Sequence, residues 1–414
     1  MNKTTLFLKF ITVNICFFLF TMCQNGKNER KTDRTIKPDS LIVINIDKLN
    51  FERPILFSSV FQNIKILALE TKEDCLIGKI NQLEMSDDTL FILDSYSAKA
   101  LFLFDNNGKY LKKIGKIGKG PGEYSHISSF SLDLKKRQIQ ILDPQQQKII
   151  IFSTQGKLIN EIKLSGNMLP IQIATQDELI YIDQLISKDT KAEFLLYAIN
   201  NSGKIVSRWL PYQIYDKGLE QPYNSSLNFF KAEDDIKYVK PLFDTIFSLN
   251  HGTVKPYLAV TTKNKITNED IQEMNKIMDV TKFLDYYIRC NKFLGITHYK
   301  ESRSLITFKY QNNRTTHNLF IFKNDHNIQC TTRLIDDLTQ QTYISPFYST
   351  YKNYFIACIQ NTFPENIKEF MENVKNGKIN LSKKEQEIVE KLTPNSNPLI
   401  VFYNCRENFS SKIH

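Results

Sequence analysis

The chain has 414 residues, of which 12% are aromatic, 14 are Gly and 13 are Pro. This composition suits packed β-sheets and excludes a collagen-like or a disordered chain. The formal net charge is +10, but the basic residues are dispersed and form no nucleic-acid-binding signature, so we predict no nucleic-acid partner.

The N-terminus has the features of a lipoprotein signal peptide, which we predict over residues 1–22. Two lysines flank its start, and the almost wholly apolar run 10–20 is too short to span a bilayer. The run leads to Leu-Phe-Thr-Met before Cys23, which resembles a bacterial lipobox, so we predict Cys23 as the lipidated first residue of the mature protein. Residues 23–40 are polar and mixed in charge, which is typical of a flexible tether. These features predict a cell-envelope protein that is lipid-anchored in the outer membrane.

Short apolar strands followed by a glycine-bearing turn recur along the next part of the chain. The turn glycines are spaced 48, 47 and 49 residues apart; they are Gly108, Gly156, Gly203 and Gly252. An interval of this length, made of four short strands, is the size of one propeller blade. Apolar strands at 318–322, 354–358 and 398–403 supply a fifth and a sixth unit. The sequence therefore predicts an all-β fold, a six-bladed β-propeller over residues 41–408.

Two longer intervals predict helical insertions in the later blades. Near residues 267–290, Thr267 is placed to cap a single helix that runs through the insertion. Near residues 366–392, two helical pieces follow one another, and the second opens at a capping box that begins with Ser382. Such helices either shape a binding face or cover exposed blade edges.

The last apolar strand of the chain predicts how the ring closes. Residues 399–403 should pair in the same blade as a strand from the N-terminal region, 64–68. Because a closed ring leaves no open sheet edge, we predict that this final strand is essential to the fold.

One glycine-rich motif carries a family resemblance. Residues 114–124 read Ile-Gly-Lys-Ile-Gly-Lys-Gly-Pro-Gly-Glu-Tyr, and the segment resembles the six-bladed β-propeller lipoproteins common in Bacteroidota, which are similar to NHL-repeat propellers. Segments 242–247 and 397–402 resemble the same family. The resemblance covers about residues 55–405 and implies an exported, membrane-attached propeller, although most members have no established ligand or reaction.

The glycines of this motif predict a tight connection between blades. No Lys-Ser or Lys-Thr pair follows them, and the next segment alternates like a strand, so a phosphate-binding loop is not indicated. Proline restricts one turn and the glycines permit close chain approach; the turn residues are Gly118, Gly120, Pro121 and Gly122. Directly after this turn, Glu123, Tyr124 and His126 are the candidate binding residues, which we expect at the channel mouth.

Three aspartates end apolar strands at comparable places in the repeat: Asp94, Asp143 and Asp183. Gathered round a channel, such carboxylates would bind Ca²⁺. Aspartates also accept backbone N–H bonds in turns, and their recurrence favours this structural role. We therefore predict no catalytic residue, no metal site and no cofactor, with Ca²⁺ as the alternative.

Five cysteines lie beyond the N-terminal segment: Cys75, Cys290, Cys330, Cys358 and Cys405. Their number is odd, and no pair has the spacing of a zinc site. At least one thiol must therefore stay free, while a disulfide between two others is left open.

The leading functional hypothesis is a binding or scaffold module of the cell envelope, with a glycan, a peptide or a partner protein as its ligand. The alternative is a metal-dependent propeller enzyme, of the lactonase or lyase type, that uses channel carboxylates and histidines. A third hypothesis is a structural subunit of an envelope complex. Because no nucleophile–base or metalloprotease motif is present, the sequence favours a non-enzymatic role. We expect a monomer or a complex subunit, held to the membrane by its lipid.

Overall fold

The computed structural model describes residues 41–164, 168–185, 193–211, 227–232, 235–240, 242–277, 279–342, 346–360 and 364–410. The described residues form six large sheets, each built on four antiparallel strands, and one of the six has a fifth, parallel strand at its edge. They are the blades of a six-bladed β-propeller, so the fold predicted from the repeat is confirmed. The predicted signal peptide, Cys23 and the tether lie outside the described residues.

The first described residues contribute strands to three separate parts of the ring. Strand β1 (Ile42–Asn45) runs parallel to the outer strand of blade 4, and β2 (Ile55–Leu56) forms a short parallel ladder with a segment that follows blade 5. Strand β3 (Phe61–Ala68) is the outer strand of blade 6. The 3-10 turn Ile46–Lys48 follows β1, the one-turn helix α1 (Phe57–Val60) joins β2 to β3, and the 3-10 turn Glu73–Cys75 follows β3.

Blades 1 to 3 are meanders in which each strand pairs with the next one along the chain. Blade 1 consists of β4 (Gln82–Ser86), β5 (Thr89–Asp94), β6 (Ala100–Asp105) and β7 (Tyr110–Ile114), and the two-stranded ladder of β8 (Lys116–Ile117) and β9 (Glu123–Tyr124) follows it. Blade 2 consists of β10 (Ser129–Asp133), β11 (Gln138–Asp143), β12 (Lys148–Ser153) and β13 (Leu158–Lys163). Blade 3 consists of β14 (Pro170–Gln176), β15 (Leu179–Gln184), β16 (Phe194–Ile199) and β17 (Ile205–Pro211).

Blades 4 and 5 are separated by the first helical insertion. Blade 4 consists of β18 (Phe229–Ala232), β19 (Asp235–Tyr238), β20 (Thr245–Asn250) and β21 (Thr253–Thr261), with β1 added at its edge. The insertion contains α2 (Asn268–Lys276) and α3 (Val280–Arg289). Blade 5 consists of β22 (Thr297–Glu301), β23 (Leu305–Asn312), β24 (Thr315–Phe322) and β25 (Ile328–Thr331), and β26 (Leu334–Ile335) follows it.

The insertion before blade 5 differs from the single helix that the sequence predicts. Thr267 forms the predicted cap, with its hydroxyl accepting from the backbone N–H of Asp270. The helix nevertheless ends early, because Ile277 adopts an extended backbone with φ −81° and ψ 99°. Two shorter helices therefore replace one long helix.

Blade 6 contains the second insertion and closes the ring. It consists of β27 (Ser349–Tyr351), β28 (Tyr354–Ile359) and β29 (Leu399–Cys405), with α4 (Pro364–Lys375) and α5 (Lys383–Glu390) between the last two. Strand β29 pairs with β3 in the register Leu399↔Ala68 to Tyr403↔Ile64. The predicted pairing of the two chain ends is confirmed, as are the two helical pieces and the Ser382 capping box.

A buried asparagine side chain fastens this closure. Asn397 is 1% exposed, and its Oδ1 accepts from the Ile77 N–H at 2.8 Å. Its Nδ2 donates to the carbonyl oxygens of Glu70 at 2.7 Å and Cys75 at 2.8 Å. One amide therefore joins the segment before β29 to the segment that leads from β3 into blade 1.

The repeated glycine turns connect the third and fourth strands of blades 1 to 4. Their φ angles lie between +75° and +86°, at Gly108, Gly156, Gly203 and Gly252, a region that favours glycine. At Gly108, a Cβ atom would lie 2.0 Å from the carbonyl oxygen of Ala68 in the neighbouring blade. This glycine is therefore required both by the turn and by close blade packing.

Side chains on the inner strands join neighbouring blades across the channel wall. The Gln82 amide on β4 donates to the Phe130 carbonyl at 2.8 Å and accepts from the Phe130 N–H at 3.0 Å. Ser129 on β10 and Gln172 on β14 accept backbone N–H bonds from the next blade in the same way. The inner strand of each meander leaves backbone groups unpaired at its free edge. Polar side chains of the neighbouring inner strand satisfy these groups, which explains the polar residues along the channel.

Apolar side chains fill the spaces between adjacent blades. Leu93, Leu103 and Ile150, for example, share one buried cluster between blades 1 and 2. All five cysteines in the described part of the chain are free thiols. Within the described ranges, no helix has the length and apolar character needed to cross a membrane.

Candidate functional site

One end of the central channel widens into a cavity of about 1020 Å³. Its volume lies near the upper end of the range usual for small-molecule sites, roughly 300–1,000 Å³. The walls are formed by loops that enter the inner strands, by loops that leave the second strands, and by residues of β28, β29 and α4. The lining includes Asn81, Tyr96, His126, Gln172, His298, Tyr348 and Gln360.

An aromatic pair stands at the rim of this cavity. Tyr96 follows β5, and the carboxylate of Asp94 fixes the loop by accepting from the N–H groups of Tyr96 at 3.2 Å and Ser97 at 2.8 Å. The Tyr96 side chain is 66% exposed, and its ring centroid lies 5.9 Å from that of His126. An exposed aromatic ring on a constrained loop offers an apolar face at little cost in conformational entropy.

The two histidines of the cavity are neutral at pH 7. Burial lowers the pKa of His126, and the positive charge of Lys99 lowers it further, against the opposing effect of Asp143. Burial lowers the pKa of His298 to about 4, with Lys309 and Lys300 adding to the effect. Both imidazoles therefore act as hydrogen-bonding groups without charge.

A β-bulge places His298 in the cavity. The pairing of β22 with β23 shifts register between Thr297 and Lys300, and His298 within that interval has φ +52°. Left-handed backbone is uncommon for a non-glycine residue, and bulges re-aim side chains next to binding sites. The channel solvent reaches the imidazole, although protein surrounds it on most sides.

Among the described lining residues, Asp336 is the one carboxylate, and it is engaged in the fold. It is 5% exposed and accepts from the hydroxyls of Tyr403 at 2.6 Å and Thr339 at 2.5 Å. Its pKa is raised, chiefly by burial. The described lining therefore offers no pair of carboxylates for acid–base chemistry.

Two buried polar atoms of the cavity have no hydrogen-bond partner within the described structure, Ser128 Oγ and Gln341 Nε2. An unsatisfied buried polar group costs on the order of 1–3 kcal/mol. A ligand that supplied the missing partners would recover part of this free energy. The cavity is therefore suited to an uncharged ligand with many hydrogen-bonding groups.

Comparison with known proteins shows the family. A family model described as "Domain of unknown function (DUF4934)" matches residues 41–404. The chain belongs to the DUF4934 family. No curated protein matches it.

Several solved structures are similar to this DUF4934 chain at low sequence identity. An exported protein from Bacteroides fragilis is 18% identical with a TM-score of 0.71, over 89% of this chain and 100% of that chain. A DUF4221 family member from Bacteroides vulgatus is 12% identical with a TM-score of 0.46, over 83% of this chain and 98% of that chain. Virginiamycin B lyase from Staphylococcus aureus is 12% identical with a TM-score of 0.37, over 73% of this chain and 86% of that chain. The first similarity supports the fold alone, and the other two carry no argument.

In the DUF4934 chain, one of the three predicted binding residues lines the cavity. His126 does so, whereas Glu123 and Tyr124 lie elsewhere, so their predicted place at the channel mouth is wrong. Glu123 accepts from the Gly120 N–H at 2.9 Å and pairs with Lys116 at 3.0 Å, and these contacts lower its pKa. Tyr124 is 2% exposed in the apolar cluster between blades 1 and 2. The β8–β9 ladder holds both residues in the connection between blades, away from the channel.

Two of the predicted turn residues, Gly118 and Gly120, lie against the Glu123 carboxylate. A Cβ atom on Gly118 would lie 2.0 Å from Glu123 Oε2, and one on Gly120 would lie 3.1 Å from it. Gly122 has φ +72°, and Pro121 precedes it in the same turn. These glycines leave room for a carboxylate that organises the loop from within.

Two of the three repeated aspartates have the predicted turn role. Asp94 accepts from the N–H groups of Gly78 at 2.8 Å and Lys79 at 3.1 Å, at the entrance to blade 1. Asp143 accepts from the Ser125 N–H at 2.6 Å, at the entrance to blade 2. Each carboxylate therefore ties the second strand of a blade to the loop that enters the same blade. No group of three His, Cys, Asp or Glu side chains in the described ranges is arranged to hold a metal ion.

Asp183 has a different role, which the repeat does not predict. Its carboxylate accepts from Lys240 Nζ at 2.6 Å, Tyr238 OH at 2.8 Å and Asn228 Nδ2 at 2.6 Å. Asp183 and Lys240 are both 0% exposed. This buried ion pair joins blade 3 to blade 4. The entrance to blade 3 is held by Gln184 instead, which accepts from the Leu169 N–H at 2.8 Å.

Sequence reasoning missed Tyr96, Tyr348 and Gln360, which contribute much of the cavity's chemistry. Gln360 donates its amide to the Tyr348 hydroxyl, so these two side chains form one polar group on blade 6. A signal for Tyr96 is present in the repeat, because it lies two residues after Asp94 in the loop that leaves a second strand. Tyr348 and Gln360 have no such signal, since blade 6 lacks the regular spacing.

Proposed function

We propose that this chain is an exported binding module whose channel cavity takes a neutral glycan. The observation that carries the proposal is the exposed Tyr96 ring, placed 5.9 Å from His126 at the rim of a cavity whose lining combines apolar side chains with amides and hydroxyls. Sugar rings present an apolar C–H face that packs on an aromatic ring, and their hydroxyls suit amide, hydroxyl and imidazole partners.

The electrostatics of the cavity support an uncharged ligand. Its histidines have lowered pKa values, and its described carboxylate is committed to Thr339 and Tyr403. Lys79 is the one cationic side chain of the described lining. An anionic ligand would find few permanent positive charges here, whereas a neutral polyol needs none. A peptide or a partner protein is the alternative ligand for the same cavity.

A binding screen with the soluble protein tests the ligand class. We expect neutral glycans to bind on an array, and Tyr96→Ala to weaken binding by isothermal titration calorimetry about tenfold or more, or roughly 1.4 kcal/mol. His126→Ala should weaken binding as well. Tyr351→Ala is the matched control, because that tyrosine lies at the opposite end of the channel. Binding of peptides but not of glycans would reject the glycan and keep the cavity. Unchanged affinity in Tyr96→Ala would reject the site.

The envelope location is part of the same proposal. It rests on the predicted signal peptide and on Cys23, and the similar Bacteroides fragilis protein is described as exported. We expect Cys23→Ser to move the protein from the membrane fraction to the soluble periplasmic fraction, because one lost lipid anchor removes most of the membrane affinity. Retention in membranes after a high-salt wash would show that Cys23 is not the anchor.

A further inference from the structure

The opposite mouth of the channel contains a second cavity, of about 240 Å³, with a buried lysine in its wall. Lys300 on β22 is 6% exposed, and no carboxylate of the described residues lies within ion-pair distance of its amine. Its Nζ donates to the Tyr299 carbonyl at 3.1 Å and lies 4.2 Å from the centre of the Phe230 ring. A protonated lysine has three donors, so most of its donor capacity is unused.

The inner strands of three blades meet at this amine. Strands β18, β22 and β27 contact one another, and the Thr350 hydroxyl on β27 donates to the Glu301 carbonyl on β22 at 2.6 Å. Directly beside this hydrogen bond, Ser349 also lines the cavity, and its buried hydroxyl has no partner among the described residues. Two unsatisfied donors from neighbouring blades therefore border the same small space.

The charges around the mouth leave an excess of positive charge. Lys231 and Lys352 also line it, and neither lies in an ion pair within the described structure. Three acidic residues line it too: Glu301 pairs with Lys323 at 2.9 Å, Asp87 lies in no ion pair within the described structure, and Glu84 is buried. Burial raises the pKa of Glu84, which favours its uncharged form, so the local field favours an anion.

We propose that this second mouth binds a small oxyanion, a carboxylate or a phosphate, through Lys300 with Ser349 as a further donor. Leu227 and Tyr348 line both cavities, but Lys300 and Ser349 line this mouth alone, so the proposal does not depend on the glycan cavity. Burial lowers the pKa of Lys300 to about 7, and Lys309 contributes. An anion that pairs with the amine stabilises its charged form and repays part of the cost of burial.

Titration of the full chain with inorganic phosphate and with acetate at pH 6.5 tests this proposal. Calorimetry should show binding of at least one of the two anions, and which one binds distinguishes a phosphate site from a carboxylate site. Lys300→Met should raise the Kd at least tenfold, and Ser349→Ala about threefold. Lys113→Met is the matched control, because Lys113 also lies over a phenylalanine ring, at 5.4 Å, but lines neither channel cavity.

A site-resolved measurement keeps the test decisive if Lys300→Met fails to fold. Amine acetylation followed by mass spectrometry should show that saturating anion slows labelling of Lys300 at least fivefold and leaves Lys113 unchanged. Absence of binding by both anions would overturn the proposal. Unchanged affinity in folded Lys300→Met, or equal labelling of Lys300 with and without anion, would overturn it as well.

Discussion

Removal of the Asp183 carboxylate should destabilise the propeller strongly. In Asp183→Ala, Lys240 keeps its charge at 0% exposure and loses its one ionic partner in the described structure. Breaking a buried pair by removing one member costs about 3–5 kcal/mol. That loss is a large fraction of the roughly 5–15 kcal/mol by which folded domains are stable.

The expected change in melting temperature follows from the size of the propeller. Unfolding entropy is about 2.1 cal/mol/K per residue, which gives about 0.8 kcal/mol/K over the family match to residues 41–404. The predicted loss therefore corresponds to a Tm decrease of about 4–6 °C. Circular dichroism melting measures it, with urea unfolding as a second assay.

Two further variants separate the charge effect from the loss of packing. Asp183→Asn keeps the side-chain shape but removes the charge, and we expect it to destabilise nearly as much as Asp183→Ala. The double variant Asp183→Leu with Lys240→Met should recover part of the loss, because it removes the unpaired charge but also takes the carboxylate acceptor from the buried Asn228 amide. Glu273→Gln breaks an exposed pair with Lys276 and should leave Tm unchanged. A Tm decrease below about 1 °C in Asp183→Ala would refute the reasoning.

Three other perturbations test closure, the glycine turns and the channel histidine. Deletion from Asn397 onward removes β29 and should abolish cooperative melting by circular dichroism, whereas deletion of 411–414 should not; a cooperatively melting longer truncation would contradict ring closure. Gly108→Ala should lower stability to urea by at least about 1–2 kcal/mol, because its φ is +79° and the added Cβ meets a backbone carbonyl at 2.0 Å. Gly377 has φ +69° and no atom within 4 Å of an added Cβ, so Gly377→Ala should lower the free energy of unfolding by less. Equal losses in the two variants would show that the contact between Gly108 and the neighbouring blade is unimportant. The folded-state pKa of His298 is lowered to about 4, so its contribution to stability is present above the unfolded pKa of about 6.5 and is lost as pH falls toward 4. Urea unfolding between pH 4 and 7 should show a shallower pH dependence in His298→Gln, and an identical profile would reject this role.

The sequence was sufficient to predict features that depend on residues close together in the chain. A repeat near 48 residues, turn glycines and helix caps each act within one blade or one helical turn, so their spacing is visible before folding. Ring closure was also predictable, because a final strand without a partner must find one in a propeller without open edges. Here Leu399–Cys405 finds it in Phe61–Ala68.

The position of a residue within the repeat was a poorer guide to its function. Glu123 and Tyr124 have the residue types of a binding site, but the β8–β9 ladder holds them between blades. Asp183 occupies the same repeat position as Asp94 and Asp143, yet its partner is a lysine of the next blade. Repeat position indicated the strand end correctly and the chemical partner incorrectly.

Only the tertiary structure decided which side chains share a cavity. Tyr96, His126 and His298 come from three blades and meet because every inner strand points at one axis. The same convergence places Lys300 beside Ser349 at the other mouth. No local pattern records these meetings, because pairing energies within a blade are independent of which loop lies across the channel. The sequence alone therefore determined the blades and their order, while the closure of the ring determined the chemistry of its two mouths.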